Sequence, residues 1–484
     1  MKIAFLGAGY VGSPTAAVIA DKCPDVTVTV LDVNASRIAQ WQSDALPVYE
    51  PGLEPLVFRN INKSLFFSTD IDKHLYEADL IFICVNTPTK SEGFGAGFAC
   101  DLTYVELAAR SIGRSCAHCS HKIIIEKSTV PVRTSEMISS ILQSLSPKCR
   151  FSILSNPEFL AEGTAINDLV NPDRVLIGGS DVDPKAVEVL VDVYSHWVPQ
   201  DRIITMKLWS SELSKLVANA FLAQRVSSIN AVSAICELTG GDVEDIEKAI
   251  GTDHRIGSHF LRSGIGFGGS CFRKDVLNLV YIARSLGLDE VAEYWMQVIR
   301  MNDSQMDRFS KTIIEHLFNT VVGKNLCILG FSFKANTGDT RDSPSIKVCR
   351  NLLANGASLN IYDPKVQKSQ ILEDLTPTSQ DSWKLDANVS VFSSALSAVH
   401  NCDALVVLTA WGEFSTIDWV AIYQKMRKPA FVFDGRLCLD HSKLSAIGYT
   451  VFALGKGRFV RRSLTVSESL VPRSDVNIEL KNYS

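Results

Sequence analysis

The feature that most constrains the fold of this chain is a glycine pattern directly after its first apolar run. The segment IAFLGAGYVGSP places glycines at positions 7, 9 and 12, in the order G-x-G-x-x-G, ahead of a helical pattern. A second apolar run, VTVTVLDV, ends in Asp32, twenty residues after the last of these glycines. Strand, glycine turn, helix, strand and acid in this order are typical of a Rossmann-type α/β fold that binds a dinucleotide.

The acid at the end of the second run indicates which dinucleotide is bound. A carboxylate there accepts hydrogen bonds from the adenosine ribose hydroxyls and would repel a 2′-phosphate, so we predict NAD rather than NADP. Arg37 leaves two interpretations open, because an arginine there either packs on the adenine or receives a phosphate. The cofactor contacts predicted in this part of the chain are Gly7, Ala8, Gly9, Tyr10, Val11, Gly12, Asp32 and Arg37.

Strand patterns and helical patterns alternate along most of the chain. Helical patterns without strands then occupy about one hundred residues, and a second alternation begins with KNLCILGFSFK. Repeated βα units build doubly wound parallel sheets, so we predict an α/β fold with two Rossmann-like domains joined by a central helical connector. The predicted divisions are an NAD-binding domain at 1–209, a central helical domain at 210–318, a second Rossmann-like domain at 319–455 and a flexible tail at 456–484.

Charge, hydropathy and cysteine usage exclude several classes of protein. The net charge is −5, from 48 lysines and arginines against 53 acids. We therefore expect neither a nucleic-acid partner nor a basic surface that would bind one. Residues 3–20 are uncharged, but glycines and Pro14 interrupt them, which argues against a signal peptide or a membrane span. The twelve cysteines are scattered, which favours a reducing cytosol. Cys116 and Cys119 form a C-x-x-C with no obvious second ligand pair, so we expect no metal.

A candidate nucleophile lies in the stretch GFGGSCFRKD. Cys271 follows a glycine-rich segment and precedes an amphipathic helical pattern, so we expect it at a helix N-terminus. The helix dipole, with Arg273 and Lys274, would favour the thiolate, and Asp275 would share a helical face with the thiol. The alternative is a small buried hydrophobe, which is what most free cysteines are. The glycines and the carboxylate favour the nucleophile.

Two carboxylates occur together in NPEFLAEG. Asn156 is expected to cap a short helix with Pro157 at its first position, which would place Glu158 and Glu162 at i and i+4 on one face. Neighbouring carboxylates suit acid and base chemistry, although a solvated helix face is the commoner meaning of such a pair.

Other polar residues fit a site between the domains. In SSELSKLVANAF, Lys215 and Asn219 are four residues apart, and apolar neighbours would depress the lysine pKa unless the lysine lies at the surface. Thr129 in EKSTVP is expected at the carboxyl end of a strand, where α/β folds bind ligands. The second half lacks the glycine pattern, so we expect it to hold another phosphate-bearing ligand, for which it offers the cations Lys334, Arg341 and Arg436.

Together these motifs resemble one family, the UDP-glucose 6-dehydrogenases of the nucleotide-sugar dehydrogenase superfamily. The resemblance runs from Met1 to about residue 455. The matching stretches are GAGYVG, VNTPT, EKSTVPV, NPEFLAEGTAI, NPDRVLIGG, SSELSKLVANAFLAQR, GFGGSCF-x-KD (where x is Arg273), FSFKANTGDTRDSPS and FDGR. Chance similarity does not account for so many matches in one order.

The resemblance implies a four-electron oxidation of UDP-glucose to UDP-glucuronate that uses two NAD+ and one water. In this scheme Cys271 captures the C6 aldehyde as a thiohemiacetal. A second hydride transfer converts the thiohemiacetal to a thioester, and hydrolysis of the thioester releases the acid.

The resemblance also implies roles for the other polar residues. Lys215 and Asn219 would donate hydrogen bonds to the oxyanion at C6. Asp275 and Thr129 would order a water near C6, and Glu158 would act as acid and base in thioester hydrolysis.

The same resemblance implies which residues contact the two ligands, with 319–455 as the UDP-sugar-binding domain. Further cofactor contacts are expected from Val85, Asn86, Thr87, Pro88, Thr89, Ser128, Thr129, Val130, Glu162 and Arg341. Substrate contacts are expected from Glu158, Phe159, Leu160, Ala161, Glu162, Lys215, Asn219, Arg255, Phe260, Leu261, Arg262, Gly266, Phe267, Gly268, Cys271, Phe272, Phe333, Lys334 and Arg436.

Assembly also follows from the resemblance. Arg255 matches an arginine that family members contribute to the neighbouring subunit's substrate, which implies a homo-oligomer of at least two chains, with 210–318 as the dimerisation domain and a hexamer as the larger option. The cysteine usage places this homo-oligomer in the cytoplasm. The chain departs from the family at Ala96 and Phe98, where animal members carry basic residues near the region regulated by UDP-xylose. It departs again at Arg273, where relatives often have an uncharged residue; an outward-pointing side chain would be tolerated there.

Two other functions remain open at this point. A dehydrogenase acting on GDP-mannose or UDP-N-acetylmannosamine would share the thiol chemistry and differ in the pocket around Phe159, Leu160, Arg255 and 260–266. A non-catalytic NAD-binding scaffold is the second alternative, and the intact cysteine, lysine and aspartate speak against it.

Overall fold

The computed structural model describes residues 1–378, 381 and 383–457, and within them the chain forms two sheets separated by a group of helices. Of the tail predicted at 456–484, only Lys456 and Gly457 belong to this part of the chain, and the rest lies outside the described residues.

The first sheet is built from residues 1–206, all of which are described. Its eight strands are β1 (Lys2–Leu6), β2 (Thr27–Leu31), β3 (Leu65–Ser68), β4 (Leu80–Ile83), β5 (His121–Glu126), β6 (Arg150–Ser155), β7 (Val175–Gly178) and β8 (Ile203–Met206). Their order across the sheet is β3-β2-β1-β4-β5-β6-β7-β8. The order reverses between β1 and β4, and the crevice beyond the carboxyl ends of such strands is where α/β sheets bind ligands.

Helices cover both faces of this sheet. They are α1 (Gly12–Lys22), α2 (Ala35–Trp41), α3 (Leu53–Asn60), α4 (Ile71–Glu77), α5 (Thr103–Ser115), α6 (Thr134–Leu145), α7 (Ala165–Val170) and α8 (Pro184–Ser195). Within β1, Phe5 packs into one core and stacks on Phe82 at 4.4 Å, whereas Ala4 and Leu6 pack into the core on the other face. Burial on both faces explains why these strands are apolar throughout rather than alternating.

Long helices follow the first sheet: α9 (Leu208–Thr239), α10 (Val243–Gly251), α11 (Phe272–Ser285) and α12 (Asp289–His316). Helix α9 has 32 residues and ends at Gly240, whose φ of +87° is the left-handed conformation common after a helix C-terminus. Helix α11 packs against both α9 and α12, so the segment that begins α11 is held by the connector. No described helix combines the length and the apolar composition needed to cross a membrane.

The second sheet lies in residues 325–453, apart from the undescribed positions 379, 380 and 382. Its strands are β9 (Asn325–Leu329), β10 (Ser358–Tyr362), β11 (Val389–Val391), β12 (Ala404–Val407), β13 (Phe431–Asp434) and β14 (Thr450–Ala453). All are parallel, in the order β11-β10-β9-β12-β13-β14. The accompanying helices are α13 (Pro344–Ala354), α14 (Lys368–Asp374), α15 (Leu385–Asn388), α16 (Ala395–Ala398), α17 (Trp419–Lys425) and α18 (His441–Ile447).

The second sheet repeats the strand, turn and acid of the first. Asp363 follows β10 as Asp32 follows β2. Its Oδ2 accepts hydrogen bonds from the backbone N–H of Phe331 at 2.7 Å and of Ser332 at 3.0 Å, and from the Trp411 indole at 3.2 Å. The Asp363 carboxylate therefore braces the turn after β9.

Two Rossmann-like sheets joined by helices confirm the predicted fold class. One strand pair departs from the expected parallel arrangement, because β7 pairs antiparallel with β6 at Ser155 and Gly178 while β8 runs parallel to β7. The chain after β6 stays at the carboxyl edge of the sheet, where it forms the NPEFLAEG loop, so β7 starts from that edge and runs back.

The short helix predicted in NPEFLAEG does not form, and this prediction was wrong. Residues 156–161 have no regular structure, and α7 begins only at Ala165. The Asn156 amide is buried rather than capping: its Nδ2 donates to the Leu176 carbonyl at 2.8 Å, and its Oδ1 accepts from the Tyr194 hydroxyl at 2.6 Å. The two carboxylates of this loop therefore do not share a helical face.

Candidate active site

The glycine turn after β1 has the shape of a dinucleotide cradle. Gly7 has φ +108°, and a Cβ there would lie 2.4 Å from the Cys84 carbonyl oxygen, while a Cβ on Gly12 would lie 2.3 Å from the Gly7 carbonyl oxygen. A Cβ on Gly9 would meet nothing within 4 Å. The outer glycines thus close the turn and the middle one leaves its outer side open, which fits a pyrophosphate at the N-terminus of α1.

Asp32 and Arg37 are both tied to this turn. The Asp32 carboxylate accepts from the backbone N–H of Ala8 and of Asn34, each at 2.9 Å. The Arg37 Nε donates to the Ala8 carbonyl at 2.8 Å, where the Trp41 indole also donates, at 3.1 Å. The carboxylate is held beside the turn, where a ribose diol would lie, and the arginine braces the backbone of the turn itself.

Most of the other predicted cofactor residues lie at the ends of β4 and β5, whereas Glu162 and Arg341 do not. Val85 to Thr89 follow β4, and Thr129 and Val130 follow β5 with Ser128. The Thr87 hydroxyl donates to the Thr129 carbonyl at 2.8 Å, and the Lys274 ammonium donates to the Thr87 carbonyl at 3.2 Å. These contacts join the two cofactor loops to each other and to helix α11.

Cys271 occupies the position immediately before α11 and is exposed. Its Sγ lies 3.5 Å from the Ser270 hydroxyl, and its carbonyl accepts from the backbone N–H of Asp275 at 2.9 Å. The thiol therefore lies at the start of a helix, where the first backbone N–H groups have no partner within the helix itself.

The glycine segment before Cys271 is clamped by its neighbours. Gly266 has φ +124°, and a Cβ there would lie 2.7 Å from the Asn302 amide oxygen on α12. A Cβ on Gly268 would lie 2.4 Å from the Asp342 carbonyl oxygen. Only glycine allows the backbone to pass this close to both α12 and the second sheet domain.

A buried polar cluster lies where α9 meets α11. The Asn219 Nδ2 donates to Asp275 Oδ2 at 2.6 Å, and within the described part of the chain Asp275 Oδ1 is buried with no hydrogen-bond partner. Burial raises the pKa of Asp275, with the charges of Lys274 and Lys215 opposing the rise. Burial lowers the pKa of Lys215, as its apolar surroundings predicted, and the charge of Asp275 opposes that fall.

The loop after β6 contributes an aromatic ring and a carboxylate. The Lys215 ammonium lies 5.1 Å from the centroid of the Phe159 ring, and the Arg174 guanidinium lies 4.1 Å from the same centroid. Glu158 forms an ion pair with the buried Lys127, at 2.9 Å. Lys127 was missed in the sequence, although a lysine directly after a buried strand was the available signal.

Glu162 points elsewhere, toward the second sheet domain. Its Oε1 accepts from Arg341 at 3.1 Å and its Oε2 from the Thr337 hydroxyl at 3.2 Å. Arg341 also pairs with Asp339 at 2.6 Å. Burial, together with the nearby charge of Asp339, raises the pKa of Glu162 to about 7. The cluster links the loop of the first domain to the second domain, and the structure does not bring Glu162 together with Glu158.

Arg436 is bound largely to backbone carbonyls. Its guanidinium donates to the carbonyls of Leu408 at 2.7 Å, Gly266 at 3.1 Å and Phe333 at 3.4 Å. Burial lowers the pKa of Arg436 to about 10. Lys334, whose ammonium lies 5.5 Å from the Phe333 ring centroid, is only partly buried and offers the second domain a cation.

The structure gathers some of the remaining predicted substrate residues. The Phe272 ring lies 6.1 Å from the Phe260 ring and 5.7 Å from the Phe267 ring, directly after the thiol. Arg262 donates to a second-domain carbonyl at 2.7 Å. Arg255 is the exception: its side chain is 78% exposed and pairs with Asp253. The predicted set also includes Leu160, Ala161 and Leu261, of which only Leu261 is buried.

Glu50 is a second residue that sequence reasoning missed. This buried carboxylate accepts hydrogen bonds from the Tyr10 hydroxyl and from the backbone N–H of Gly163 and Ala165. It therefore connects the glycine turn to the loop that carries the predicted substrate carboxylates. The signal for such a residue is an acid in a turn-rich segment, here YEPG, which by itself does not separate a buried acid from a solvated one.

The departures from the expected family pattern find partners within this chain. The Arg284 guanidinium lies 5.3 Å from the Phe98 ring centroid. Arg273 forms an ion pair with Asp303 on α12 at 2.8 Å, so its guanidinium is paired with the connector.

Sequence models of one family match the chain in three consecutive segments. The UDP-glucose/GDP-mannose dehydrogenase family matches through its NAD binding domain at residues 1–198, its central domain at 209–304 and its UDP binding domain at 327–441. These segments contain the glycine turn, the polar cluster with Cys271, and the cations of the second sheet, in that order.

Whole-length relatives agree. The UDP-glucose 6-dehydrogenase of Drosophila melanogaster is 56% identical over 478 residues, which cover 98% of this chain and 100% of the relative. UDP-glucose 6-dehydrogenase 1 of Glycine max is 55% identical over 471 residues, 94% of this chain and 97% of the relative. The solved UDP-glucose dehydrogenase of Pyrobaculum islandicum has a TM-score of 0.82 and 30% identity, and the match covers 94% of this chain and 98% of that chain. The protein is therefore an NAD-dependent dehydrogenase and belongs to the UDP-glucose/GDP-mannose dehydrogenase family.

Proposed function

We propose that this protein oxidises UDP-glucose to UDP-glucuronate in two successive steps through a covalent bond to Cys271. The observation that carries the proposal is the exposed thiol at the start of α11, one turn from the buried cluster of Lys215, Asn219 and Asp275. Relatives at 55–56% identity that are named UDP-glucose 6-dehydrogenases support the choice of sugar.

In the first step the C6 hydroxyl of the sugar becomes an aldehyde. NAD+ bound at the glycine turn supplies the acceptor for the hydride. Lys215 and Asn219 donate hydrogen bonds to the C6 oxygen, and Asn219 has a second amide N–H besides the one that binds Asp275. The proton of the hydroxyl passes to a water held by Asp275 and Thr129.

In the second step Cys271 forms and then loses a bond to C6. Thiolate addition to the aldehyde gives a thiohemiacetal, and loss of a second hydride from C6, for which a second NAD+ would be the acceptor, restores the carbonyl as a thioester. Water attacks the thioester carbonyl while Glu158 accepts a proton from it. The C6–S bond then breaks, the thiolate leaves, and the carboxylate product is released. The overall change is two hydrides lost and one water oxygen gained.

The second sheet domain would hold the UDP group. It offers Lys334 near its carboxyl edge, while Arg436 ties this domain to the glycine segment before the thiol. The rings of Phe260, Phe267 and Phe272 then line the approach of the sugar to Cys271. This arrangement spans the crevice between the domains, so that the nucleotide and the reacting carbon are held by different parts of the chain.

We also propose that the chain works as a cytosolic homo-oligomer of at least two copies. Arg255 extends into solvent in the single chain, and α9 exposes apolar side chains such as Trp209, Phe221 and Leu238. A second copy that covers this helix could receive Arg255 beside its own substrate.

The deciding experiment is the yield of NADH per UDP-glucose at limiting sugar and excess NAD+. Two NADH per sugar would support the route from alcohol to acid. One NADH per sugar would mean that oxidation stops at the aldehyde, and this result would rule out the covalent step. GDP-mannose and UDP-N-acetylmannosamine are assayed in parallel, and faster turnover of either would replace the proposed sugar. No NADH from any of the three would overturn the proposed function.

A further inference from the structure

Lys127 is a buried cation to which the proposed reaction assigns no role. It directly follows β5, and its side chain is only 1% exposed. Its ammonium lies 2.9 Å from Glu158 Oε2, 3.0 Å from Asn156 Oδ1 and 3.3 Å from the Tyr194 hydroxyl oxygen. A lysine buried to this extent is costly unless acceptors are fixed around it, so the surrounding groups are arranged for a charge.

The neighbours of Lys127 are oriented to accept its protons. The Asn156 Nδ2 donates to the Leu176 carbonyl, and this hydrogen bond turns the amide oxygen of Asn156 toward the ammonium. The Tyr194 hydroxyl donates its proton to that same amide oxygen, so a lone pair of the hydroxyl faces Lys127. Burial by itself lowers the pKa of Lys127, but the charge of Glu158 and the Tyr194 hydroxyl more than reverse this effect, and the pKa is raised. The lysine is therefore a permanent cation.

Both oxygens of Glu158 act as acceptors in this arrangement. Oε2 receives Lys127, and Oε1 receives the backbone N–H of Phe159 at 2.9 Å. Hydrogen bonds to a carboxylate from a charged ammonium are among the stronger ones in proteins. They also fix the orientation of the group, because each oxygen has a separate anchor.

Other titratable groups near Glu158 do not replace Lys127. Lys215 on α9 contributes a charge, but burial lowers its own pKa. Cys84 after β4 and Tyr194 on α8 are both near the pair, and burial raises the pKa of each, so both stay neutral. Among the described residues, Lys127 is the cation within ion-pair distance of Glu158.

We propose that Lys127 is a positioning residue that holds the Glu158 carboxylate in one orientation, so that this carboxylate faces the attacking water in thioester hydrolysis. The inference rests on the proposed function, because it deepens the hydrolysis step of that route. A water oxygen forms the new bond to the thioester carbon, one proton of that water goes to Glu158, and the electron pair of the C6–S bond leaves with the Cys271 sulfur. Glu158 then returns the proton to solvent.

The test compares Lys127→Met with wild-type protein in kcat, in KM for UDP-glucose and in the mass of intact protein quenched during turnover. Without the ammonium the Glu158 carboxylate loses one of its two anchors and can turn away from the attacking water, so kcat should fall roughly 10- to 100-fold while KM changes little. The covalent sugar adduct should accumulate, because the hydrolysis step alone is slowed.

Two further variants separate this role from a structural one. Tyr194→Phe disturbs the same buried network without removing the charge, so it should lower the melting temperature without accumulation of the adduct. Adding Lys127→Met to Glu158→Gln should change kcat little more, because both act through one group. Lys127→Met protein that accumulates no adduct, or full multiplication of the two effects on kcat, would overturn the proposal.

Folding is controlled with Lys127→Gln, which keeps a polar group for Asn156 and Tyr194. If neither lysine variant folds, the melting temperature of Glu158→Gln is measured instead, since this variant leaves the buried ammonium without its counter-charge. A melting temperature equal to that of wild type would overturn the pairing. If wild-type protein makes two NADH per sugar and the Lys127→Met variant accumulates no adduct, the role of Lys127 is overturned and the proposed function still stands. If wild-type protein makes no NADH, both the role of Lys127 and the proposed function are overturned.

Discussion

Asn219 Nδ2 donates to Asp275 Oδ2 at 2.6 Å and so joins the long helix α9 to the helix that begins at the thiol. The same carboxylate supplies the largest charge effect that opposes the lowering of the Lys215 pKa by burial. Two groups proposed to bind the C6 oxygen thus depend on one buried acid.

Replacing Asp275 by Asn should remove this charge while keeping a group that Asn219 can bind. Without it the pKa of Lys215 falls further, so the ammonium is lost at lower pH and the alkaline limb of kcat moves to lower pH. The measurement is kcat against pH from 6 to 10. Asn219→Ala is the matched control: it should lower kcat without moving the limb, and an equal displacement in both variants would contradict the expectation.

Cys271→Ser should stall the reaction with little or no NADH, because an alkoxide is a poor substitute for a thiolate at neutral pH. NADH yield at limiting sugar measures this. Cys119→Ser, at another thiol that is not fully buried, should retain the wild-type yield. Full turnover by Cys271→Ser would remove this residue from the nucleophile role.

Asp32→Ala should weaken NAD binding and narrow the preference for NAD over NADP. The carboxylate lies beside the glycine turn, where it would accept from the ribose and repel a 2′-phosphate. The ratio of kcat/KM for the two cofactors measures the preference, with Asp25→Ala on the exposed turn before β2 as the control. An unchanged ratio would show that Asp32 does not reach the ribose.

Mixed oligomers should reveal whether Arg255 serves a neighbouring chain. Arg255→Ala and Cys271→Ser should each be nearly inactive alone. After the two are unfolded and refolded together, mixed dimers would contain one site with an intact thiol and an intact partner arginine, so activity should return to roughly a quarter of wild type by random pairing. Activity no higher than the average of the separate variants would place Arg255 outside the partner's site.

The cluster of Glu162, Asp339 and Arg341 should make stability depend on pH. The pKa of Glu162 is raised to about 7, so the folded state holds a proton that the unfolded chain releases near its ordinary pKa of 4.5. This contribution is full below pH 4.5 and is lost as the pH rises through about 7. Glu162→Gln should therefore gain melting temperature relative to wild type as the pH rises from 5 to 8. A constant difference across this range would contradict the shift.

Local signals were sufficient where geometry depends on neighbours in sequence. The turn of Gly7 and Gly12 follows from chain sterics, and the spacing of Lys215 and Asn219 follows from the helical repeat, so both could be read without a structure. The two-sheet architecture could be predicted for the same reason, because each βα unit has a recognisable strand and helix pattern within its own stretch of sequence.

Residues whose roles depend on distant partners could not be read in this way. Asn156 carries a good local capping signal, but buried contacts to Leu176 and Tyr194 override it. Lys127 and Glu50 look like ordinary charges until the fold buries them against groups far along the chain. Whether a charged side chain is buried depends on the tertiary structure, so the sequence alone does not show it.

The clamp on the glycine segment has a consequence for engineering. Ile265 and Gly269 bond to backbone carbonyls of the second sheet domain, at 3.0 and 2.9 Å, and Arg436 holds Gly266. The nucleotide-binding half is therefore part of the frame that presents the reactive sulfur. A chimera in which this domain is exchanged to change the bound nucleotide would misplace the sulfur. To avoid this, the contacts that Arg341, Gly435 and Arg436 make with the glycine segment would have to be kept.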